Sequence, residues 1–205
     1  MPSLDVVIPW FLILVVSLSV HEAAHAWTAD QFGDPTARLL GRLTLNPLKH
    51  IDLIGTVIFP LLAVYSGLPL IGWAKPVPVS LENLRSPRRD FAAVALAGPM
   101  SNLLLAGIGA AVVAVVGDTS SVAGNLLVVA AQMNVMLAVF NMIPVPPLDG
   151  GNVLAGFVPE SFARILDGLR EWGFIVLYVL MFAGVLNSVV FPIAQSIMRL
   201  FGVYP

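Results

Sequence analysis

Two of the chain's three histidines fall in one short stretch, Val20-His21-Glu22-Ala23-Ala24-His25-Ala26-Trp27. On a helix, His21 and His25 are four residues apart and share one face, the spacing that lets two imidazoles hold one metal ion. Glu22 stands beside them, placed to take a proton from an attacking water. The stretch ends an apolar run that begins near Val6, so the pair sits in what reads as a membrane-spanning helix. Ionisable groups are expensive there and mark function. A lone histidine on such a helix is ordinarily a hydrogen-bonded structural residue. Here the histidines come paired at ligand spacing, and no basic residue close in sequence neutralises Glu22. The metal reading therefore outweighs the structural one.

Composition sets the frame. The chain has 205 residues, 58% hydrophobic and 11% charged, with a mean hydropathy of +0.92. A soluble domain of this size cannot hide that much apolar surface, so the expected class is an all-α integral membrane protein. A net charge of −2 gives no reason to expect a nucleic-acid partner. There is no cysteine, which excludes a thiolate nucleophile and leaves a metal to be held by His, Asp, Glu or Asn. Asp5 stands where a secretory signal peptide has basic residues, so the first helix is expected to be retained. No repeat, low-complexity tract or appended soluble domain is visible, and 1–205 reads as a single membrane-embedded domain.

The elements that must position these residues follow from hydropathy and from glycine and proline. Residues 5–29 read as the first span. Trp27 marks its interface end and places His21 roughly 9 Å deeper. Residues 30–52 are polar, with turns at Gly33, Pro35 and Asn46-Pro47. His50, the third histidine, reads as a polar residue at the membrane surface before it reads as a site residue. Residues 53–72 are apolar but broken by Pro60, Gly67, Pro69 and Gly72. Trp73 to Val79 is extended by its prolines. It reads equally as a surface loop or as an edge, through Lys75, Val77 and Val79, that accepts another strand. Residues 91–116 and 122–143 read as further spans, the first with Gly98 and Asn102, the second with Asn134 and Asn141 seven apart on one face. Pro144, Pro146 and Pro147 stop the second, and Gly150-Gly151 predicts a tight turn after Asp149. Beside a two-histidine helix, Asp149 is the candidate third ligand. Residues 152–171 read as a mixed connection. The apolar 172–204 is long for one span and short for two.

His21-Glu22-x-x-His25, Gly98-Pro99-x-x-Asn102 and Asn141-x-x-Pro144-x-Pro146-Pro147-Leu148-Asp149-Gly150 together resemble the site-2 protease family of intramembrane zinc metalloproteases. The likeness covers roughly residues 10–155. Asn46-Pro47-Leu48-Lys49-His50 and the segment from Gly72 to Val79 are similar to its compact bacterial branch. The resemblance implies a catalytic core at about 10–155, C-terminal membrane segments at 172–204, and no room for the PDZ or CBS domain that some members carry. It also implies one zinc ion held by His21, His25 and Asp149, with Glu22 as general base. Asn102 is then the first choice for the oxyanion donor and Asn141 the alternative. An edge at Lys75, Val77 and Val79 would hold an unwound substrate by strand addition. The implied substrates are membrane proteins, in particular single-span ones.

Joining the three motifs constrains the topology. His25 ends the first span, Asn102 lies near the start of the third apolar segment and Asp149 follows the end of the fourth. All three ends must share one side, so 53–72 is expected to enter and leave on that side as a re-entrant hairpin. The whole then reads as a helical bundle of about four to six transmembrane segments with a re-entrant hairpin and a short extended edge segment. Lys and Arg agree: Arg38, Arg42, Lys49, Lys75, Arg85, Arg88, Arg89, Arg164 and Arg170 fall on the site's side, and Asp5 and Asp118 on the other. The positive-inside rule makes the charged side cytoplasmic, in a bacterial plasma membrane. The competing reading is a transporter or proton-relay protein using intramembrane His, Glu and Asp. It would not need histidines at ligand spacing. A catalytically dead scaffold would not need Glu22.

Overall fold

The computed structural model describes residues 4–66 and 73–204. Helix α1 (Leu4–Gln31) is followed by the short α2 (Thr36–Leu39). A π-helical stretch, Leu53–Ile58, then leads into α3 (Phe59–Ser66). Two long helices come next, α4 (Pro87–Val116) and α5 (Val122–Asn141). Among the described residues, α1, α4 and α5 are the helices long and apolar enough to cross a membrane. Their apolar windows are at most 28% buried, so most of each apolar surface, including Leu12, Val16, Leu104, Ile108 and Val115, faces outward. A water-soluble protein does not present such a face, and lipid is its natural solvent. The inner faces are made of small residues. Ala106 and Ala110 of α4 meet Ala131 and Val135 of α5, and small side chains let helices approach in lipid.

The segment after Asp52 leaves the bundle and comes back. The Asp52 carboxylate caps its start, accepting from Ile54 N–H at 3.0 Å and Gly55 N–H at 2.7 Å. On return, Trp73 N–H donates to Gly55 C=O at 3.1 Å and Trp73 C=O accepts from Thr56 Oγ1 at 2.8 Å. Departure and return are therefore adjacent in space. The Trp73 indole occupies the space a side chain at residue 55 would need, so only glycine fits there. Of the breaks expected to bend the segment, Pro60 lies in the first turn of α3, and Gly67, Pro69 and Gly72 lie outside the described residues. From Trp73 to Ser80 the backbone is extended, and no strand forms among the described residues.

Two expectations change in the C-terminal third. Residues after the proline-rich stretch fold as α6 (Asp149–Phe157) and α7 (Glu160–Leu169) rather than as a mixed connection. Gly150 and Gly151 make no tight turn. They open α6, and they are bare because side chains there would collide with the backbone at Met142 and Pro146. Beyond lies α8 (Gly173–Phe182), and then α9 (Phe191–Leu200). Gly184, at φ +80°, breaks this stretch, and its halves are bent by 69°. Counting the bent pair as one span gives up to four candidate spans among the described residues, the lower end of the expected four to six.

Candidate metal centre

His21 and His25 project from the last third of α1 and are 4% and 9% exposed. Each ring is held through Nδ1. His21 Nδ1 lies 2.6 Å from Asn102 Oδ1, and His25 Nδ1 lies 2.7 Å from the Val94 carbonyl. Both partners are acceptors, which puts the proton on Nδ1 and leaves Nε2 a bare lone pair in each neutral ring. These two Nε2 atoms lie 3.0 Å apart. Asp149 Oδ2, at the start of α6, is 3.1 Å from one and 3.4 Å from the other, yet it is buried without a hydrogen-bond partner.

Three lone-pair donors thus face one another with no proton between them, an arrangement that repels unless a cation joins it. Ligand atoms about 2.1 Å from a shared tetrahedral ion stand roughly 3.4 Å apart, close to the three separations seen. Two imidazoles and a carboxylate are donors that zinc accepts, and three protein ligands leave its fourth position open. The residues fit the metal. Among the described residues this is the group of His, Asp and Glu side chains arranged to hold one.

Helix α4 is the template for the histidines. It supplies the Val94 carbonyl, the Asn102 carboxamide and, between them, Gly98. A Cβ on Gly98 would stand 2.6 Å from His21 Cε1 and closer still to His25. The glycine therefore does more than let two helices approach; it makes the space the rings occupy. Asn102 is fully buried, and its amide is committed. Its Oδ1 serves His21, while its Nδ2 donates to Asn134 Oδ1 at 2.8 Å and to Ser17 C=O at 3.4 Å. The oxyanion-donor role expected of Asn102 does not fit this arrangement, because its N–H groups point away from the cluster. Asn141 Nδ2 donates to Leu137 C=O of its own helix at 2.9 Å, which engages one of its two N–H donors and leaves the second for the alternative role. Asn134 was read only as sharing a face with Asn141. It completes the chain by donating to Ser17 Oγ at 2.9 Å. The signal that could have singled it out is an amide in an apolar helix, which must find a partner.

Glu22 is 8% exposed, and its Oε2 accepts the Val77 backbone N–H at 3.0 Å. The extended segment 73–80 is thus tied to the candidate base. Its other inward groups are also engaged: Lys75 N–H to the His50 carbonyl at 2.8 Å, and Lys75 C=O to Arg42 Nη2 at 2.6 Å. Pro76 and Pro78 have no N–H to offer. Of the edge expected at Lys75, Val77 and Val79, both bonding groups of Lys75 and the N–H of Val77 therefore turn into the protein. His50 takes no part in the metal group. It is buried, its Nε2 lies 2.8 Å from Thr44 C=O, and its carbonyl pins Lys75.

Asp34, another residue not singled out in the sequence, anchors the far end of the segment. It is fully buried and accepts from Ser80 N–H at 2.7 Å, Asn83 Nδ2 at 2.9 Å and Thr36 Oγ1 at 2.5 Å. Burial alone would push its carboxyl up. The Asn83 amide, the Thr36 hydroxyl and the Ser80 and Thr36 backbone N–H groups outweigh it and hold the pKa below its ordinary value.

The family model of Peptidase family M50 matches residues 114–186, a stretch that includes Asp149. YwhC of Bacillus subtilis is 36% identical over 206 residues, covering 94% of this chain and 91% of its own. Rip2 of Mycolicibacterium smegmatis is 32% identical over 175 residues (84% and 66%), and Rip2 of Mycobacterium tuberculosis is 32% identical over 193 residues (92% and 72%). All three are named as zinc metalloproteases. No solved structure matches the chain. A chain that is all-helical among its described residues, with apolar spans, two histidines and an aspartate converging on one point, and such relatives over nearly its whole length belongs to peptidase family M50, the site-2 protease family.

Proposed function

We propose that this membrane protein, a zinc metalloprotease of the M50 family, hydrolyses peptide bonds of membrane-protein substrates within or beside their transmembrane segments. The observation that carries this reading is the convergence of the bare Nε2 atoms of His21 and His25 on Asp149 Oδ2, on helix α1, beside Glu22. His21, His25 and Asp149 would hold the zinc ion. When bound, zinc supplies Lewis-acid polarisation and acidifies a coordinated water, to a pKa of about 7. Glu22 takes the proton released as water attacks the scissile carbonyl and passes it to the leaving amine. The Val77 N–H fixes one oxygen of Glu22 and leaves the other free for that transfer. Asn102 and the Val94 carbonyl keep both rings in the tautomer that presents Nε2.

The location of the site argues for substrates embedded in the bilayer. A helix satisfies its own amides, so a substrate span must unwind locally before its carbonyl can be attacked. The Lys and Arg residues of the loops beside the site support a position near the cytoplasmic face, and bacterial relatives support a bacterial plasma membrane. A transporter or proton relay has no use for three facing lone-pair donors, which make a poor proton path and a good metal site.

The test is cleavage of a tagged single-span protein by the purified chain in lipid bilayers. Glu22→Gln is expected to keep zinc and fold and to slow cleavage by at least about 100-fold, since an amide cannot take the proton. Undiminished cleavage by this variant would remove the general-base role. No cleavage by the wild type, with zinc bound and a panel of single-span proteins supplied, would count against the protease reading itself.

A further inference from the structure

Asp149 reaches the histidines from a short helix, and what holds the other end of that helix is visible. The last carbonyls of any helix lack intrahelical partners. At the end of α6, Arg88 Nη2 lies 2.6 Å from Ala155 C=O and 2.6 Å from Val158 C=O. The guanidinium also meets the negative end of the helix dipole. Arg88 belongs to the first turn of α4. One turn on, Gly156 sits so close to α4 that a Cβ there would strike Ala92 Cβ and stand 3.1 Å from Arg88 C=O. A second arginine braces the same helix: Arg170 Nη2 donates to Asn152 Oδ1 at 2.6 Å, and Arg170 lies over the Phe91 ring of α4 at 5.8 Å.

Helix α4 therefore touches every ligand-bearing element. Val94, Gly98 and Asn102 set the histidines directly, while Arg88, Phe91 and Ala92 set the helix that begins at Asp149. We propose that Arg88 is a positioning residue for the Asp149 carboxylate: it fixes the C-terminal end of α6 on α4 and thereby sets where Asp149 Oδ2 stands relative to the two Nε2 atoms. A short rigid helix transmits such a constraint because moving one end moves the other. The inference rests on reading Asp149 as the third metal ligand.

The test is zinc affinity of the purified chain, measured by competition with a fluorescent chelator for wild type, Arg88→Ala, Arg88→Lys, Asp149→Asn and the Arg88→Ala/Asp149→Asn double variant. Arg88→Ala is expected to weaken binding roughly ten-fold, the scale of a lost outer contact around a metal site. Arg88→Lys should fall between Arg88→Ala and wild type, because lysine keeps the charge without the planar fork. The double variant should bind zinc no more weakly than Asp149→Asn alone, since Arg88 acts only through that carboxylate. Wild-type affinity in both Arg88 variants overturns the proposal. So does a ten-fold loss from Arg88→Ala that persists in the Asp149→Asn background, which would mark a general structural role. If Arg88→Ala does not fold, Arg88→Lys and its double variant with Asp149→Asn carry the same comparison. Wild-type affinity in Asp149→Asn would instead fail the ligand reading beneath the proposal.

Discussion

The histidine half and the aspartate half of the centre are built differently. His21 and His25 lie on a spanning helix, buried, each ring held through its other nitrogen by α4. Asp149 opens a nine-residue helix and its side chain is 15% exposed; that helix packs at its start against the backbone at Met142 and Pro146, and arginines near the surface hold it at Asn152 and at its far end. The first half is preorganised by buried bonds that water cannot replace. The second is placed in part by exposed charged contacts that compete with water. The same helix, α4, aligns both, but it grips the histidines at contact distance and the aspartate through a lever.

That contrast can be broken by removing ligands from each half. His21→Ala or His25→Ala should abolish zinc retention on dialysis and bring cleavage to background, a loss of about 1,000-fold or more. Asp149→Ala should weaken zinc binding by less, because two rigid nitrogens remain. Elemental analysis and chelator competition read the difference. Equal loss from the two halves would mean that the aspartate is held as firmly as the rings.

The histidine half can be sharpened by comparing its asparagines. Asn102→Ala removes the acceptor of His21 Nδ1 and should cost roughly 10- to 100-fold in zinc affinity. Asn141→Ala, whose amide bonds only its own helix, should leave affinity within about two-fold. A larger effect from Asn141 would place its side chain in the support of the metal group.

The smallest effect on the metal is expected at Asp34, which touches neither half. Its depressed pKa means that its stabilising contribution is present above the ordinary carboxylate value. That contribution is lost as pH falls through the lower folded-state value. Asp34→Ala should therefore destabilise the chain at neutral pH by about 1–3 kcal/mol. It should also flatten the acid side of the stability profile while zinc affinity changes little. Thermal unfolding from pH 3 to 7 measures it, and an unchanged acid profile would make the Asp34 cluster incidental.

Sequence alone singled out the candidate ligand pair, the candidate base, the membrane class and a return of segment 53–72, because these rest on local facts. Four-residue spacing puts two side chains on one helix face whatever surrounds it, and long apolar runs and one-sided Lys and Arg need no partner to be recognised. Asp149 was legible as a candidate, but as a turn residue rather than the start of a helix. What only the tertiary structure decided is who holds whom. Asn102 meets His21 across 81 residues of chain, Val94 meets His25 across 69, Val77 meets Glu22 across 55, and Arg88 meets Ala155 across 67. Each contact depends on the axial register of packed helices or on the path of an extended segment. A shift of one helical turn, about 5.4 Å, would exchange the partners without altering a residue type or a hydropathy pattern. The choice between Asn102 orienting a ligand and Asn102 donating to a substrate oxygen therefore lies in the packing of α4 against α1 and α5.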